Sequence, residues 1–324
     1  MTLLRIAATA LAALALAAPV QSQTPAYPSK PIRIIVPVAA GGIGDYYARL
    51  IGAKLLDTWG QAVLVENRTG GGGNIGSDFV AKAPADGYTL LIGFVGPQAV
   101  NQFMFKSMPY DTSRAFAPVA MIIEAEGMLA VHPSVAIHSV DDLLALARAK
   151  PGALSYASGG VGTASHLAGE LFKSMTKVDM VHIPYKGNAP AIADVIGGQV
   201  QLTFATLPTV IPHVRAGKLR GVAVIGGSRS AAAPQLPTIA ESGVPGFAVN
   251  NWIGLFAPAG TPPEIIRKVN AEVMRIMRLP EVARRMEVEG ERFTLNTPEE
   301  FAQFIRADTE RWSKVVREAG IKAD

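Results

Sequence analysis

Short apolar runs alternate with amphipathic segments along most of the chain, and this alternation limits the folds that the sequence can adopt. The runs Ile32–Val38, Ala62–Val65 and Thr89–Ile92 are typical of buried strands. Between the first two runs, Asp45–Trp59 places apolar residues at helical spacing on one face. An order of strand, helix and strand predicts a mainly parallel sheet with helices on both faces. We therefore expect an α/β fold.

The same alternation continues to about residue 225, and the C-terminal part then changes character. Further strands are predicted at 129–131, 154–156, 181–183, 200–204 and 219–225, with helices at 140–149, 164–175, 189–196 and 211–216. Segments 262–278 and 297–319 are long amphipathic helices, and the second opens with the capping residues Thr297, Pro298 and Glu300. Because no strand follows these two helices, we expect them to pack back on an existing lobe.

The chain of 324 residues is long enough for two lobes of ordinary size. The long apolar segments 116–123 and 250–257 are candidates for chain crossings between lobes. We place the boundaries near 126 and 250, which gives a discontinuous first lobe of 23–126 plus 251–324. The second lobe then comprises 127–250.

The first 22 residues have the pattern of a cleavable signal peptide. Arg5 supplies a positive charge, and an Ala/Leu-rich apolar run with small residues behind it follows. Cleavage after Ala17, Ala18 or Ser22 fits the spacing, and we favour Ser22. The run is shorter than the ~20 apolar residues of a spanning helix. The chain contains no cysteine, which rules out a lipid anchor on a cysteine. We expect a soluble protein in the periplasm.

Several function classes find no support in the sequence. The net charge is only +4, and no basic run with interleaved aromatics indicates nucleic-acid binding. G-x-S-x-G, Walker A and HExxH motifs and clustered metal-ligand spacings do not occur. Of five scattered histidines, His166 alone lies beside a glycine-rich loop. We predict no catalytic residues, no metal and no cofactor, although a catalytic site assembled from distant residues stays open.

A glycine-rich loop between the first predicted strand and the first helix could hold an anion. Its candidate ligand-binding residues are Ala40, Gly41, Gly42, Ile43, Gly44 and Asp45. Without side chains at its glycines, backbone N–H groups can approach a ligand closely, and the following helix adds a positive dipole end. Asp45 is expected to be the N-cap of that helix rather than a ligand contact.

A second loop of this kind spans 155–166, again between a strand and a helix. Its candidate residues are Ser158, Gly162, Thr163 and Ser165. Ser158 and Thr163 could donate from their hydroxyl groups to a carboxylate. The alternative is a plain tight connection in which Thr163 or Ser165 caps the helix.

Two other loops need separate treatment. In the loop 93–98, Phe94 with Val95 beside it could cover a ligand, although a loop phenylalanine is equally often packing. The cluster Gly70–Gly76 formally contains G-x-G-x-x-G. A dinucleotide site would need a full helix and a later acidic residue, whereas Pro84 and Gly87 end this helix after about two turns. The dinucleotide interpretation therefore fails.

With these loops established, the sequence resembles the Bug-type (TctC-like) extracytoplasmic solute receptors of tripartite tricarboxylate transporters. The resemblance covers nearly the whole mature chain. It rests on segments 27–32, 39–45, 65–68, 73–76, 86–90, 162–163, 166–170, 182–187 and 255–262.

The resemblance implies a two-lobed periplasmic binding protein fold (type II-like), each lobe a mainly parallel sheet flanked by helices. It implies closure of the lobes around a small carboxylate, no cofactor, a monomeric receptor and a membrane permease as partner. Carboxylates of this kind include dicarboxylates, tricarboxylates, acidic amino acids and aromatic acids. The first loop and the Gly162–Thr163 loop usually hold the carboxylate groups, and Tyr185, Ala205 and Thr206 join the candidate residues.

Two departures from the family pattern bear on the ligand. The first loop lacks a hydroxyl at Gly44, where the family commonly has Thr or Ser. Ala205-Thr206 stands where many members carry Asp-Asn. An acid that could pair with a ligand ammonium group is therefore missing, so we predict a ligand without an amino group and a somewhat roomier, more apolar pocket. A sensing partner of a membrane signalling protein, or an enzyme using His166 or Lys186, remain the alternatives.

Overall fold

The structure of the protein is a computed structural model that describes residues 27–323. Two β-sheets organise this part of the chain, and each sheet with the helices packed on it defines a lobe. The predicted signal peptide, residues 1–22, lies outside the described residues.

Lobe 1 is built on six strands among the described residues. They are β1 (Ile32–Val36), β2 (Val63–Asn67), β3 (Thr89–Phe94), β4 (Phe116–Ala125), β10 (Asn251–Pro258) and β11 (Glu291–Arg292). Their order in the sheet is β11-β4-β10-β3-β1-β2. β1 pairs in parallel with β2 and β3, whereas β10 pairs antiparallel with β3 and β4.

Lobe 2 has five strands in the same described range. They are β5 (Gly127–Val131), β6 (Ser155–Ser158), β7 (Val181–Pro184), β8 (Leu202–Thr206) and β9 (Arg220–Val224), in the order β7-β6-β8-β5-β9. β6 pairs in parallel with β7 and β8, and β5 pairs antiparallel with β8 and β9.

The predicted two-lobed α/β fold is confirmed, with sheets that are mixed rather than purely parallel. Three strands run opposite to the other strands of their sheets: β5 in lobe 2, and β10 and β11 in lobe 1. β5 and β10 are the first strands after each crossing between lobes. A parallel strand needs a crossover connection that returns the chain to the same end of its sheet. No such connection precedes β5, because Glu126 alone separates it from β4. The proposed boundaries near 126 and 250 stay a prediction for the extent of each lobe.

Helices cover both sheets. They are α1 (Ile43–Trp59), α2 (Asn74–Ala81), α3 (Val140–Ala149), α4 (Ala164–Thr176), α5 (Asn188–Ile196), α6 (Leu207–Arg215), α7 (Pro263–Met277), α8 (Pro280–Glu289) and α9 (Pro298–Ala319). Within residues 27–323, none of them combines the length and apolar character that a membrane crossing requires. Helices α1, α4, α5 and α6 each begin just beyond the carboxyl end of a strand, which brings their N-termini towards the space between the lobes.

The C-terminal helix α9 packs on the sheet of lobe 1. Trp252 of β10 donates from its indole nitrogen to the carboxylate of Asp308 in α9 at 2.8 Å. Phe301 of α9 is fully buried and lies over Gly254, where a side chain would overlap its ring. The predicted capping box at Thr297 and Glu300 is present, with both reciprocal hydrogen bonds formed. These contacts anchor α9 across the face of the sheet.

Candidate ligand-binding site

A cavity lies between the lobes, and both predicted anion-binding loops reach it. Gly42, Ile43 and Gly44 line it from lobe 1, and Thr163, Ala164 and Ser165 line it from lobe 2. The remaining lining residues are Val38, Phe94, Gly127, Gly159, Gly187, Asn188, Phe204, Thr206, Ile225, Val249, Asn251 and Ile253. The two glycine-rich loops therefore face a common space.

Of the candidate residues, Gly42, Ile43, Gly44, Phe94, Thr163, Ser165 and Thr206 line the cavity. The other candidates are not among the lining residues: Ala40, Gly41, Asp45, Val95, Ser158, Gly162, Tyr185 and Ala205. Val95 and Ala205 are fully buried in the hydrophobic core. Tyr185 donates from its hydroxyl to Asp194 at 2.6 Å, which together with burial raises the pKa of Tyr185 to about 12.

Four helix N-termini converge on this cavity. The N-cap residues of α1, α4, α5 and α6 are Gly42, Thr163, Gly187 and Thr206, and all four line it. None of the four forms a side-chain capping hydrogen bond. The amides of a first helical turn have no acceptor within their own helix. The cavity therefore faces several backbone N–H donors and four positive dipole ends, which favour an anion.

Charged side chains are missing from the lining, within the part of the chain that the structure describes. Its polar side chains are Thr163, Ser165, Asn188, Thr206 and Asn251. A bound anion would therefore be neutralised by main-chain amides and neutral side-chain donors.

Packing against the sheet accounts for the glycine at position 44, where the family commonly has a Thr or Ser hydroxyl that could contact a ligand. A Cβ at this position would lie 3.2 Å from the Cγ2 atom of Ile92 in β3, closer than most real Cβ contacts. The first turn of α1 therefore sits directly on the sheet, and this brings its amides close to the cavity.

Asp45 is not the N-cap of α1, contrary to the prediction. The helix begins at Ile43 with Gly42 as its N-cap, so Asp45 lies in the first turn. Its carboxylate accepts hydrogen bonds from the Gly41 amide at 3.1 Å, from Arg49 at 2.9 Å and from Asn67 at 3.0 Å.

These bonds fix the shape of the first loop and set the charge of Asp45. Burial by itself raises the pKa of Asp45, but the hydrogen bonds from Arg49, Gly41 and Asn67 outweigh it and leave the pKa below its ordinary value. The negative charge of Asp45 is therefore compensated by its hydrogen-bond donors, and Asp45 is not among the residues that line the cavity.

The hydroxyl groups expected to bind a ligand in the second loop are engaged within the protein. Ser158 is fully buried, accepts from the Gly160 amide at 3.1 Å and lies 2.6 Å from Nε2 of His182. Thr163 donates from its hydroxyl to the Gly160 carbonyl at 2.6 Å. These two side chains shape the loop, and the amides at the start of α4 are left as the donors to the cavity.

Two buried histidines support the second loop from behind. Nδ1 of His166 accepts the Gly162 amide at 3.1 Å, and the rings of His166 and His182 lie 4.3 Å apart. The ring of His182 also stacks on Tyr156 at 4.9 Å. Burial lowers the pKa of His166 to about 4 and that of His182 to about 3. Both rings are therefore neutral near pH 7, and neither lines the cavity.

Sequence reasoning missed two polar residues of the lining. Asn188 donates to the hydroxyl of Thr206 at 3.1 Å and accepts from Ser165 at 3.3 Å, which joins the N-termini of three helices. It directly follows Gly187, so the third strand–helix junction could have pointed to it. Asn251 starts β10, and its Oδ1 atom is buried without a hydrogen-bond partner among the described residues. No local pattern marks Asn251.

The lobes touch at the rim of the cavity. The amide of Ala39 in lobe 1 donates to the carbonyl of Lys186 in lobe 2 at 2.8 Å. Gly187 lies directly against Ala39, where a Cβ would be only 3.1 Å from the Ala39 nitrogen. The first loop of lobe 1 and the loop between β7 and α5 of lobe 2 are therefore in contact, and they close over the cavity at this rim.

Comparison with known proteins gives concordant matches. The family model described as tripartite tricarboxylate transporter family receptor matches residues 47–321. Protein BugT of Bordetella pertussis is 38% identical over 321 residues, which cover 99% of this chain and 98% of BugT.

Two similar solved structures contain carboxylates. The R. palustris protein Rpa4515, solved with adipate, is 38% identical with a TM-score of 0.88, over 91% of this chain and 99% of that one. MatC of Rhodopseudomonas palustris, solved with malate, is 32% identical with a TM-score of 0.86, over 90% of this chain and 100% of MatC. Both bound molecules are dicarboxylates.

Proposed function

The chain belongs to the tripartite tricarboxylate transporter receptor family, and from this premise we propose that it captures a small organic carboxylate in the periplasm and delivers it to a membrane permease. The observation that carries the proposal is the convergence of four helix N-termini without side-chain caps on one cavity between the lobes. A carboxylate supplies acceptors for the free first-turn amides of these helices, chiefly those of α1 and α4. At α6 the Leu207 amide already donates to the Glu126 carbonyl at 2.8 Å and Pro208 has no N–H, so this helix contributes less.

The energies fit capture by main-chain donors. Micromolar binding requires about 8 kcal/mol. Each hydrogen bond to a charged group contributes roughly 1.5–3 kcal/mol, so three or four well-aligned donors suffice. Donors from both lobes are needed, because a ligand shifts an open–closed equilibrium only by its differential affinity for the closed state. The first turns of α1 in lobe 1 and α4 in lobe 2 meet this requirement.

The lining also supports a ligand class. An ammonium group entering the cavity would meet no carboxylate among the lining residues. Phe94, Ile225 and Ile253 present an apolar wall suited to a hydrocarbon segment between or beside the acid groups. We propose a dicarboxylate, a tricarboxylate or an aromatic acid without an amino group. The adipate bound to Rpa4515 fits this description.

The receptor is proposed to act as a monomer and without catalysis. His166, the side chain that sequence reasoning kept open as a base, is buried behind the second loop and holds its backbone. Lys186 is exposed, and its carbonyl joins the rim contact with Ala39. Both residues therefore have structural roles that account for their positions.

Thermal melting with a panel of acids tests the proposal. Adipate, malate, citrate and benzoate are compared with aspartate and glutamate, each added to the purified protein. A ligand at 100 times its dissociation constant stabilises the folded state by about 2.7 kcal/mol, which raises the melting temperature measurably. We expect at least one acid without an amino group to do so. If no organic anion changes the melting temperature, carboxylate capture is wrong.

Two further outcomes separate the finer claims. Tighter binding of aspartate or glutamate than of every other acid would overturn the assigned ligand class. Uptake of the bound acid by cells, measured before and after deletion of the gene, tests delivery to a permease. Unchanged uptake would leave the binding intact and contradict the transport role.

A further inference from the structure

The glycine cluster that fails as a dinucleotide site lies against the other lobe. Gly72 has φ +62° and forms part of the turn that precedes α2 in lobe 1. A Cβ on Gly72 would overlap the carbonyl oxygen of Val161, which belongs to the second loop in lobe 2. The two main chains are therefore in direct contact, with no space for a side chain between them.

Gly96 makes the same kind of contact one residue further along the second loop. It begins the helical turn Gly96–Val100 after β3, and a Cβ there would overlap the Gly162 carbonyl oxygen. Its backbone does not have a positive φ, so local conformation gives no reason for glycine at this position. The reason for glycine at this position is the close approach of the Gly162 carbonyl of lobe 2.

Asn101 completes the contact surface. Its side chain is fully buried, and its amide group donates to Asn74 at 2.7 Å. Its Oδ1 atom has no hydrogen-bond partner among the described residues, and a Cβ on Gly162 would overlap it. The Asn101 side chain therefore leaves no room for a side chain at position 162.

These contacts lie on the reverse side of the ligand-binding loop. Gly159 and Thr163, at either end of the contacted segment, line the cavity. Val161 and Gly162, between them, face lobe 1 at Gly72 and Gly96. The same short segment is therefore held between the cavity on one side and lobe 1 on the other.

We propose that Gly72, Gly96 and Asn101 form a closure seat, a surface of lobe 1 on which loop 160–162 of lobe 2 rests only when the cleft is shut. The inference rests on the proposed function, because it assigns these residues a part in ligand capture. Close-packed main-chain atoms cannot yield as a flexible side chain does. A methyl group on the seat therefore raises the free energy of the closed state and leaves the open state unchanged.

The chain offers a matched control for this effect. Gly60, which ends α1, has φ +64°, close to the value at Gly72, and no atom lies within 4 Å of a Cβ placed there. Gly60→Ala and Gly72→Ala therefore introduce similar backbone strain, and only the second obstructs closure. Gly96→Ala adds an obstructing methyl group without a positive φ.

The first measurement is the affinity for adipate by titration calorimetry. We expect Gly72→Ala and Gly96→Ala to bind adipate at least tenfold more weakly than Gly60→Ala. The melting temperature of Gly72→Ala without ligand should match that of Gly60→Ala, because the seat contributes in the closed state. A loss of less than tenfold in both seat variants overturns the proposal.

The second measurement follows closure without any ligand. A Cβ on Gly41 in lobe 1 would lie 3.6 Å from the Cβ of Ala189 in lobe 2, within the usual range of about 3.5–4.5 Å for a disulfide. The chain has no native cysteine, so Gly41→Cys with Ala189→Cys forms a single reporter pair. Its rate of oxidation by oxidised glutathione reports how often the cleft closes.

Adding Gly72→Ala to the reporter pair should slow oxidation at least threefold relative to adding Gly60→Ala. Equal rates overturn the closure seat. The two measurements also distinguish this inference from the proposed function. Slower oxidation in a protein that binds no carboxylate supports the seat and contradicts the function. Carboxylate binding with equal affinities and equal oxidation rates does the reverse.

Discussion

Helices that begin at the cavity are capped differently from helices that begin away from it. At α3, Ser139 accepts the Asp142 amide at 3.1 Å, and Asp142 accepts the Ser139 amide at 3.0 Å. At α9, Thr297 and Glu300 form the same reciprocal pair. At the cavity, the N-cap residues of α1 and α4 form no such side-chain bond.

At the cavity the third helical residue accepts the amide of the residue before the N-cap, which is not a capping-box bond. The third residue of α1, Asp45, reaches back to the Gly41 amide, and the third residue of α4, His166, reaches back to the Gly162 amide. Asp142 at α3 also accepts the amide of the residue before the N-cap, His138, at 2.9 Å, so this bond is common to both regions. The two bonds of the capping box itself are missing at α1 and α4. We propose that an anionic ligand takes the place of the absent cap.

The residues that reach back at the cavity also carry no uncompensated negative charge. Arg49 neutralises Asp45 at 2.9 Å, and His166 is buried as a neutral ring. Away from the cavity the same position holds Asp142, an anion that stabilises the helix dipole directly. Such an anion beside the second loop would repel a carboxylate.

The largest effect should come from giving a cavity helix its own anionic cap. Gly42 has φ −85° and ψ 171°, suitable for an N-cap aspartate, and a Cβ there would come no closer than 3.9 Å to another atom. Gly42→Asp places a carboxylate where we expect the ligand's carboxylate. At an effective dielectric constant near 20, repulsion between the two lowers adipate affinity by roughly 100-fold. Titration calorimetry measures this.

Gly42→Asn is the matched control, since it caps the helix without a charge. We expect it to bind adipate at least tenfold more tightly than Gly42→Asp. Equal affinities of the two variants would contradict the view that the ligand occupies the cap position as an anion.

A smaller effect should follow from the neutral histidine at α4. The pKa of His166 is about 4 in the folded protein and near 6.5 in the unfolded chain. The unfolded chain binds more protons between these values, so stability is lost as the pH falls from about 6.5 towards 4. We expect His166 to account for about 2 kcal/mol of lost unfolding free energy between about pH 7 and pH 5.

Urea denaturation at both pH values measures this contribution. In His166→Asn the unfolding free energies at the two pH values should differ by about 2 kcal/mol less than in the unmodified protein, whatever the variant's absolute stability. His138, exposed and outside the second loop, provides the matched His→Asn substitution whose two unfolding free energies are measured in the same way. An unchanged difference in His166→Asn would show that the ring does not stay neutral in the folded protein.

The smallest effect is expected away from the cavity. Ser139→Ala removes the capping bond at α3 and should lower the unfolding free energy by about 1 kcal/mol. Ser139→Thr should retain most of it. Adipate affinity, measured by calorimetry, should change less than twofold in both variants. A larger change would mean that capping at α3 is coupled to the cavity, which would weaken the contrast between the two regions.

The fold and the two loops could be predicted from the sequence because their signals are local. Apolar periodicity marks β1, β3 and α3, and glycine clusters mark the two loops that line the cavity. The N-cap of α1 was misplaced because Gly42 and Asp45 are both acceptable caps by residue type. Which one begins the helix depends on the bonds from Arg49 and Asn67 that hold Asp45.

Other features depend on residues far apart in the sequence. The direction of the Ser158 hydroxyl is set by His182, 24 residues later. Asn251 reaches the cavity because the chain returns to lobe 1 at β10. The contact of Gly72 with Val161 joins two lobes. Neither hydrophobic periodicity nor residue propensity encodes contacts between residues far apart in the sequence, so only the assembled structure shows them.

The bond between the Ala39 amide and the Lys186 carbonyl has a consequence for how receptors of this kind can diversify. It uses backbone atoms alone, so a new side chain at Ala39 or Lys186, other than proline at 39, keeps its donor and acceptor. Gly187 does not have this freedom, because a Cβ there would lie 3.1 Å from the Ala39 nitrogen. Side chains elsewhere around the cavity can therefore change while this contact between the lobes is kept.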